Sequence, residues 1–347
     1  MKNIKRLICL GLATVMLISA ATCTRAEEPA QPDAQQTDGQ QPADDKNSDG
    51  DKDMGNEDKS KYRVGSQVSD AYVDPSTIDT IPEDQIKAKG YEYDYDSLTY
   101  ELVWSDEFDY EGRPDDTKWD YDTGASGWGN HELQYYTRGD NAEVKDGLLT
   151  ITARKEKKEG AEYTSTRLIS KGKGDWLYGK FEIRAKLPYG KGTWPAIWML
   201  STDWNYGGWP NSGEIDIMEH VGYDQDVVHY SIHTLSYYHS IGTQKTATSK
   251  VIGASEDFHV YGLEWLPDKM IFTVDGEKAF TYEPTKYKST PTWKEWPFDK
   301  RFHLLLNIAV GGDWGGQRGV DEDIWPQTME VDYVRVYQSP EITAITK

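Results

Sequence analysis

From about residue 100 onward, apolar and polar positions alternate with a period of two, in short runs separated by turn words. Residues 147–153 (Gly-Leu-Leu-Thr-Ile-Thr-Ala), 178–185 (Tyr-Gly-Lys-Phe-Glu-Ile-Arg-Ala), 258–265 (Phe-His-Val-Tyr-Gly-Leu-Glu-Trp) and 270–276 (Met-Ile-Phe-Thr-Val-Asp-Gly) are examples. Such alternation places successive side chains on opposite faces and predicts half-buried β-strands. Asp-Gly pairs such as Asp275-Gly276 recur as hairpin turns. No helix-period segment is long enough to cover a parallel sheet, so the pattern predicts an all-β sandwich.

One run carries chemistry. Residues 213–222 read Gly-Glu-Ile-Asp-Ile-Met-Glu-His-Val-Gly. On a strand, Glu214 and Asp216 share one face while Ile215 and Ile217 take the other. Glu219 breaks the parity and would point into the core, unless an extra residue around Met218 forms a β-bulge that re-aims it. With that bulge all three acids share a face. Their mutual repulsion costs stability unless a proton or a cation relieves it, so the row points to function; the alternative is a solvated acidic strand or a charge-protected edge.

Carboxyl groups about 5 to 5.5 Å apart serve a retaining glycosidase, and about 6.5 to 9.5 Å apart an inverting one. At ~3.3 Å per residue, less one bulged step, the Cα atoms of Glu214 and Glu219 lie on the order of 13 Å apart. Side chains that lean together bring the retaining distance within reach. One carboxylate must then attack as an anion and the other donate a proton. Asp216, between them, can hydrogen-bond the nucleophile, and the three titrate as a unit.

The Glu-Ile-Asp-Ile-Met-Glu run, with Gly-Thr-Trp-Pro-Ala-Ile-Trp-Met-Leu at 192–200 and Gly-Asn-His-Glu-Leu-Gln-Tyr-Tyr-Thr at 129–137, resembles glycoside hydrolase family 16. The resemblance opens at Trp-Ser-Asp-Glu-Phe-Asp (104–109) and closes at Val-Asp-Tyr-Val-Arg-Val-Tyr (331–337). It implies a concanavalin A-like β-jelly roll with a substrate cleft on its concave face. Met218 marks the bulged branch of that family, and the flanking words are most similar to laminarinase, an endo-β-1,3-glucanase. By resemblance Glu214 is the nucleophile, Asp216 its assistant and Glu219 the general acid/base.

Flat rings stack on sugar C–H faces. Trp194, Trp198, Trp204 and Trp209, all shortly before the acidic strand, are candidates to line the cleft or to fill the core. Asn130, Glu132 and Arg167 are candidates to orient sugar hydroxyls or to sit in surface loops. His233, on the following strand, is a candidate for the same groove. His229 and His233 share a strand face but lack zinc-type spacing, so no catalytic metal is expected. The resemblance implies a structural calcium on the convex face at Glu107, the Gly147 backbone and Asp332, against the alternative of ordinary surface acids.

Composition adds the processing and the partner. Lys2, Lys5 and Arg6 precede an apolar run from Leu7 to Ala21, the form of an export signal occupying residues 1–26. Cleavage after Ala26 and lipidation of Cys23 as an anchor are the two outcomes, and both place the protein outside the cytoplasm, secreted or at the cell surface. Cys9 and Cys23 are the only cysteines, so residues beyond them hold no disulfide. Residues 27–60, rich in Gln, Asp, Pro and Gly with no aromatic, read as a disordered acidic linker. Residues 61–97 read as a lead-in that packs only partly, and 98–340 as the catalytic domain.

The formal net charge of −21 exceeds what the linker contributes and disfavours nucleic acid and sulfated glycans. A neutral β-glucan, cut by a monomer, is the expected partner. Mixed-linkage β-1,3-1,4-glucan or an agar-type galactan is the alternative substrate. A non-catalytic carbohydrate-binding protein is the alternative of another class, although a binder has no need of both glutamates.

Overall fold

The computed structural model describes residues 91–347. The export signal, the linker and the lead-in as far as residue 90 lie outside the described residues. Within them, eighteen strands follow in order: β1 (Glu101–Asp106), β2 (Asp120–Asp122), β3 (Gln134–Tyr136), β4 (Ala142–Lys145), β5 (Leu148–Ala153), β6 (Tyr163–Ser165), β7 (Arg167–Ile169), β8 (Asp175–Trp176) and β9 (Gly179–Lys186). Then come β10 (Thr193–Ser201), β11 (Glu214–His220), β12 (Val227–His233), β13 (Lys245–Lys250), β14 (His259–Trp265), β15 (Met270–Val274), β16 (Glu277–Tyr282), β17 (Phe302–Val310) and β18 (Gln327–Gln338).

Two eight-stranded antiparallel sheets result. One runs β16-β15-β14-β9-β18-β5-β4 with β1 beside β18; the other runs β13-β12-β11-β10-β17-β7-β2 with β8 beside β17. The expected all-β jelly-roll sandwich is therefore present. Two hairpins turn at the anticipated Asp-Gly pairs: Asp146-Gly147 (φ 52 and 78) joins β4 to β5, and Asp275-Gly276 (φ 50 and 82) joins β15 to β16. Positive φ at both central positions matches the right-handed twist of the strands they join.

Alternation sorts each strand. On β10, Ile197 and Met199 enter the core between the sheets, as do Leu304, Leu306, Ile308 and Val310 of β17. The intervening Trp194, Ala196 and Trp198, with Asn307 and Ala309, line the open face of the second sheet.

Packing continues on both sides of residues 98–340. Tyr93 donates to Asp268 Oδ1 (2.5 Å), while Tyr95 and Tyr100 donate to the two oxygens of Glu264 (2.6 Å each), tying the end of the lead-in to β14 and the turn after it. After residue 338 a helix, α1 (Pro340–Thr346), is capped by the Ser339 hydroxyl accepting from the Ile342 N–H, and Ile342 is buried. Seven residues are too few for a helical period to stand out in the sequence.

Candidate active site

β11 carries the bulge. Against β10 its pairs are Leu200 with Glu214, Met199 with Ile215 and Trp198 with Asp216, then Ile197 with Met218 and Ala196 with Glu219, so Ile217 is passed over. Against β12, Glu214 meets His233 and Asp216 meets Ser231, but Glu219 meets His229. β11 thus holds one residue more than either neighbour between Asp216 and Glu219. Ile217 and Met218 are both fully buried in the core. Two consecutive apolar side chains turn inward, and Glu219 returns to the face of Glu214 and Asp216.

Gly222 closes the strand. Its N–H donates to the Thr193 carbonyl (2.9 Å), and a Cβ there would lie 1.9 Å from the Gly190 carbonyl oxygen. Only glycine permits that approach.

Each glutamate has its own indole donor. Trp209 Nε1 donates to Glu214 Oε2 (2.7 Å), and Trp194 Nε1 donates to Glu219 Oε1 (3.1 Å). An indole N–H can only donate, so each contact favours the ionised carboxylate. Asp216 hydrogen-bonds Glu214, and His233 Nε2 stands 3.3 Å from Asp216 Oδ2 and 3.8 Å from Glu214 Oε1.

Burial and mutual repulsion outweigh these donors. Glu214 is pushed up to about 8, first by burial and then by Asp216. Glu219 is pushed up to about 7 by burial and then by Glu214. Asp216, 2% exposed, is raised well above the carboxylate range by burial and then by Glu219. Three acids in one dry site share protons as a unit rather than ionising together.

The acids sit at the junction of a cavity of about 170 Å³ and a groove of about 650 Å³ that share Trp194, Glu214 and Glu219. Asn130, Glu132, Arg167, Trp194, Trp198 and Trp209 line the first, and His233 lines the second with His229. Arg167 lies between the rings of Trp128 (4.7 Å) and Trp198 (4.6 Å) and pairs through Nε with Asp122 (3.1 Å). Its buried Nη2 has no hydrogen-bond partner. Glu132 accepts from Asn130, Gln134 and Tyr136.

Trp204 is the exception among the tryptophans. It packs beside Ile169, Leu200 and Leu305 rather than lining the cavity. Reading missed Trp128, Tyr136, Asn307, His239 and Trp314, which line the two spaces. Asn307 left a signal, a lone polar residue in the apolar run 304–310; it accepts from Trp198 Nε1 (2.7 Å) and donates to Tyr136. His239 lies in a 3-10 turn shortly after β12, and Trp314 lies in the loop after β17.

Both acids expected to hold calcium are paired with arginine. Arg335 takes both carboxylate oxygens of Glu107, at 3.0 and 2.7 Å, and Arg184 takes Asp332. Gly147 serves the β4–β5 turn. The two acids are neutralised by arginine, which the spacing of residues could not reveal because each partner lies on another strand or far along the chain.

A jelly roll with two buried carboxyl groups facing one cleft is the apparatus of a carbohydrate-cleaving hydrolase. The chain belongs to the glycosyl hydrolases family 16, whose model matches residues 129–335. A second model, of the beta-glucan synthesis-associated protein SKN1/KRE6/Sbg1, matches residues 2–212 and ends before the three acids. The chain is 56% identical to a beta-glucanase of Rhodothermus marinus over 245 residues, 69% of this chain and 85% of that one. The solved laminarinase of Rhodothermus marinus superposes with a TM-score of 0.69 at 54% identity, covering 71% of this chain and 100% of the other. SCLam, a non-specific endo-β-1,3(4)-glucanase co-crystallised with 1,3-β-D-cellotriosyl-glucose, gives 0.66 at 46% identity, covering 69% and 95%. The protein is a glycoside hydrolase.

Proposed function

We propose that this protein is an exported, monomeric endo-β-1,3-glucanase that cleaves laminarin-type glucan with retention of configuration. The bulge in β11 carries the reading, because it sets Glu214 and Glu219 on one face with an indole donor each. Glu214 attacks the anomeric carbon as the ionised form, forming a glycosyl ester, while Glu219 gives its proton to the departing glycosidic oxygen. Asp216, beside Glu214, titrates with both glutamates as one unit and so helps set when Glu214 ionises. Glu219, now ionised, takes a proton from water, whose oxygen displaces Glu214 from the sugar and restores both acids.

Space on both sides of the acids supports internal rather than terminal cleavage, since chain can extend either way. The basic start and apolar run of residues 2–21, with Cys23 as an anchor or Ala26 as a cleavage point, support export. The likeness to a non-specific endo-β-1,3(4)-glucanase favours a second reading, in which mixed-linkage glucan is cut as well.

Reducing ends released from laminarin, mixed-linkage glucan and agarose separate these substrates. The first anomer seen by proton NMR reports retention. Glu214→Gln is expected to lower turnover by several orders of magnitude while the thermal transition persists; near-normal turnover would reject the assignment.

A further inference from the structure

Asp216 Oδ2 is buried and accepts no hydrogen bond. His233 Nε2 stands 3.3 Å from it, and the same nitrogen is 3.8 Å from Glu214 Oε1. Trp209 engages the opposite oxygen of Glu214, Oε2, so Oε1 is turned toward the histidine. Each of the three side chains offers a donor atom, all within 4.8 Å of one another.

Donor atoms at 2.0 to 2.1 Å from a tetrahedral zinc stand about 3.3 to 3.4 Å apart. The separation of His233 from Asp216 already has that value, that of His233 from Glu214 needs a shift of a few tenths of an ångström, and the two carboxylates stand within 4.8 Å of each other. Two carboxylates and an imidazole match a divalent charge, and the groove beyond them leaves room for water at a fourth position. An imidazole ligand favours zinc, cobalt or nickel over calcium or magnesium, which prefer oxygen alone.

We propose that Glu214, Asp216 and His233 form a binding site for a zinc-class divalent metal ion, and that an ion held there occupies the attacking carboxylate and blocks hydrolysis. The inhibitory half of this statement rests on the role given to Glu214; the binding half does not. Metal and substrate then exclude each other, because the sugar must reach the same oxygen.

Zinc and cobalt chlorides titrated calorimetrically into the full chain test the site. One ion per chain is expected, with a tetrahedral cobalt spectrum in the visible range. His233→Ala, His233→Gln and Asp216→Asn, each checked for an intact thermal transition, should weaken binding at least about tenfold, since even residues that only support ligands cost that much. Glu219→Gln keeps all three ligands and should bind zinc while failing to cleave glucan. In the unaltered protein, zinc should raise KM for laminarin and leave kcat unchanged. Undiminished binding in the His233 and Asp216 variants, or no saturable binding at all, overturns the site. Zinc bound through these ligands in a protein that cuts no glycan would keep the site and reject the hydrolytic reading.

Discussion

Trp209 donates its indole hydrogen to Oε2 of Glu214 across 2.7 Å from only five residues earlier in the chain. The donor and the acid therefore belong to one loop-to-strand junction. His233 and His239 pack near the same indole, with ring centres at 6.0 and 5.1 Å. The indole is thus held between the acid it serves and the groove wall.

Replacing Trp209 with Phe keeps the ring and removes the hydrogen bond. A bond to an ionised group contributes about 1.5 to 3 kcal/mol, so kcat/KM should fall about 10- to 100-fold. Glu214 would also hold its proton to higher pH. The acid limb of the kcat/KM profile should move upward; an unmoved limb would detach Trp209 from the ionisation of Glu214.

Glu219→Gln removes the proton donor but leaves the attacking group. On laminarin the rate should fall about 10²- to 10⁴-fold. On an aryl β-glucoside with a good leaving group, which needs no proton, bond cleavage should remain close to normal, with the glycosyl ester accumulating. Equal loss on both substrates would contradict the assignment of roles.

The acidic cluster costs stability at the pH where it works. Glu214 is raised from 4.5 to about 8 on folding, so the folded protein binds the proton more tightly than the unfolded chain. That contribution is fully present below about pH 4.5 and is lost as pH rises through about 8. Glu214→Gln should therefore be the more stable protein at pH 8 by about 1 to 3 kcal/mol, with the advantage gone at pH 4. Thermal unfolding at both pH values measures it.

Arg167 and Asp122 form an ion pair with side chains 5% and 8% exposed. Removing one partner of a buried pair costs about 3 to 5 kcal/mol, because the other charge is left alone. Arg167→Ala should lose that much stability and raise KM as well, since Arg167 lines the cavity. The double variant with Asp122→Ala should recover part of the stability and none of the KM. A chemical-denaturation cycle separates the two effects.

Local features were legible in the sequence for local reasons. The Asp-Gly hairpins follow from backbone angles that Gly and Asp tolerate, and the bulge follows from counting, because Glu219 sits at the wrong parity from Glu214 unless one residue is added. Trp204 could not be told from Trp209 in the same way. Both precede the acidic strand and both pack beside Leu200 and Leu305, yet only Trp209 lines the cavity and reaches Glu214. Glu107 and Asp332 likewise look alike in sequence whether a cation or an arginine meets them.

The order of residues along the chain was sufficient to determine the all-β class, the strand carrying the acids and the face they share, because side-chain alternation is a property of a single strand. Pairings between distant segments were decided only by the folded chain: Asn307 with Trp198, Arg167 between two indoles, His233 against Asp216. Their partners are chosen by sheet register and by loops converging from far apart, and the free energy of those contacts exists only once the sandwich has closed.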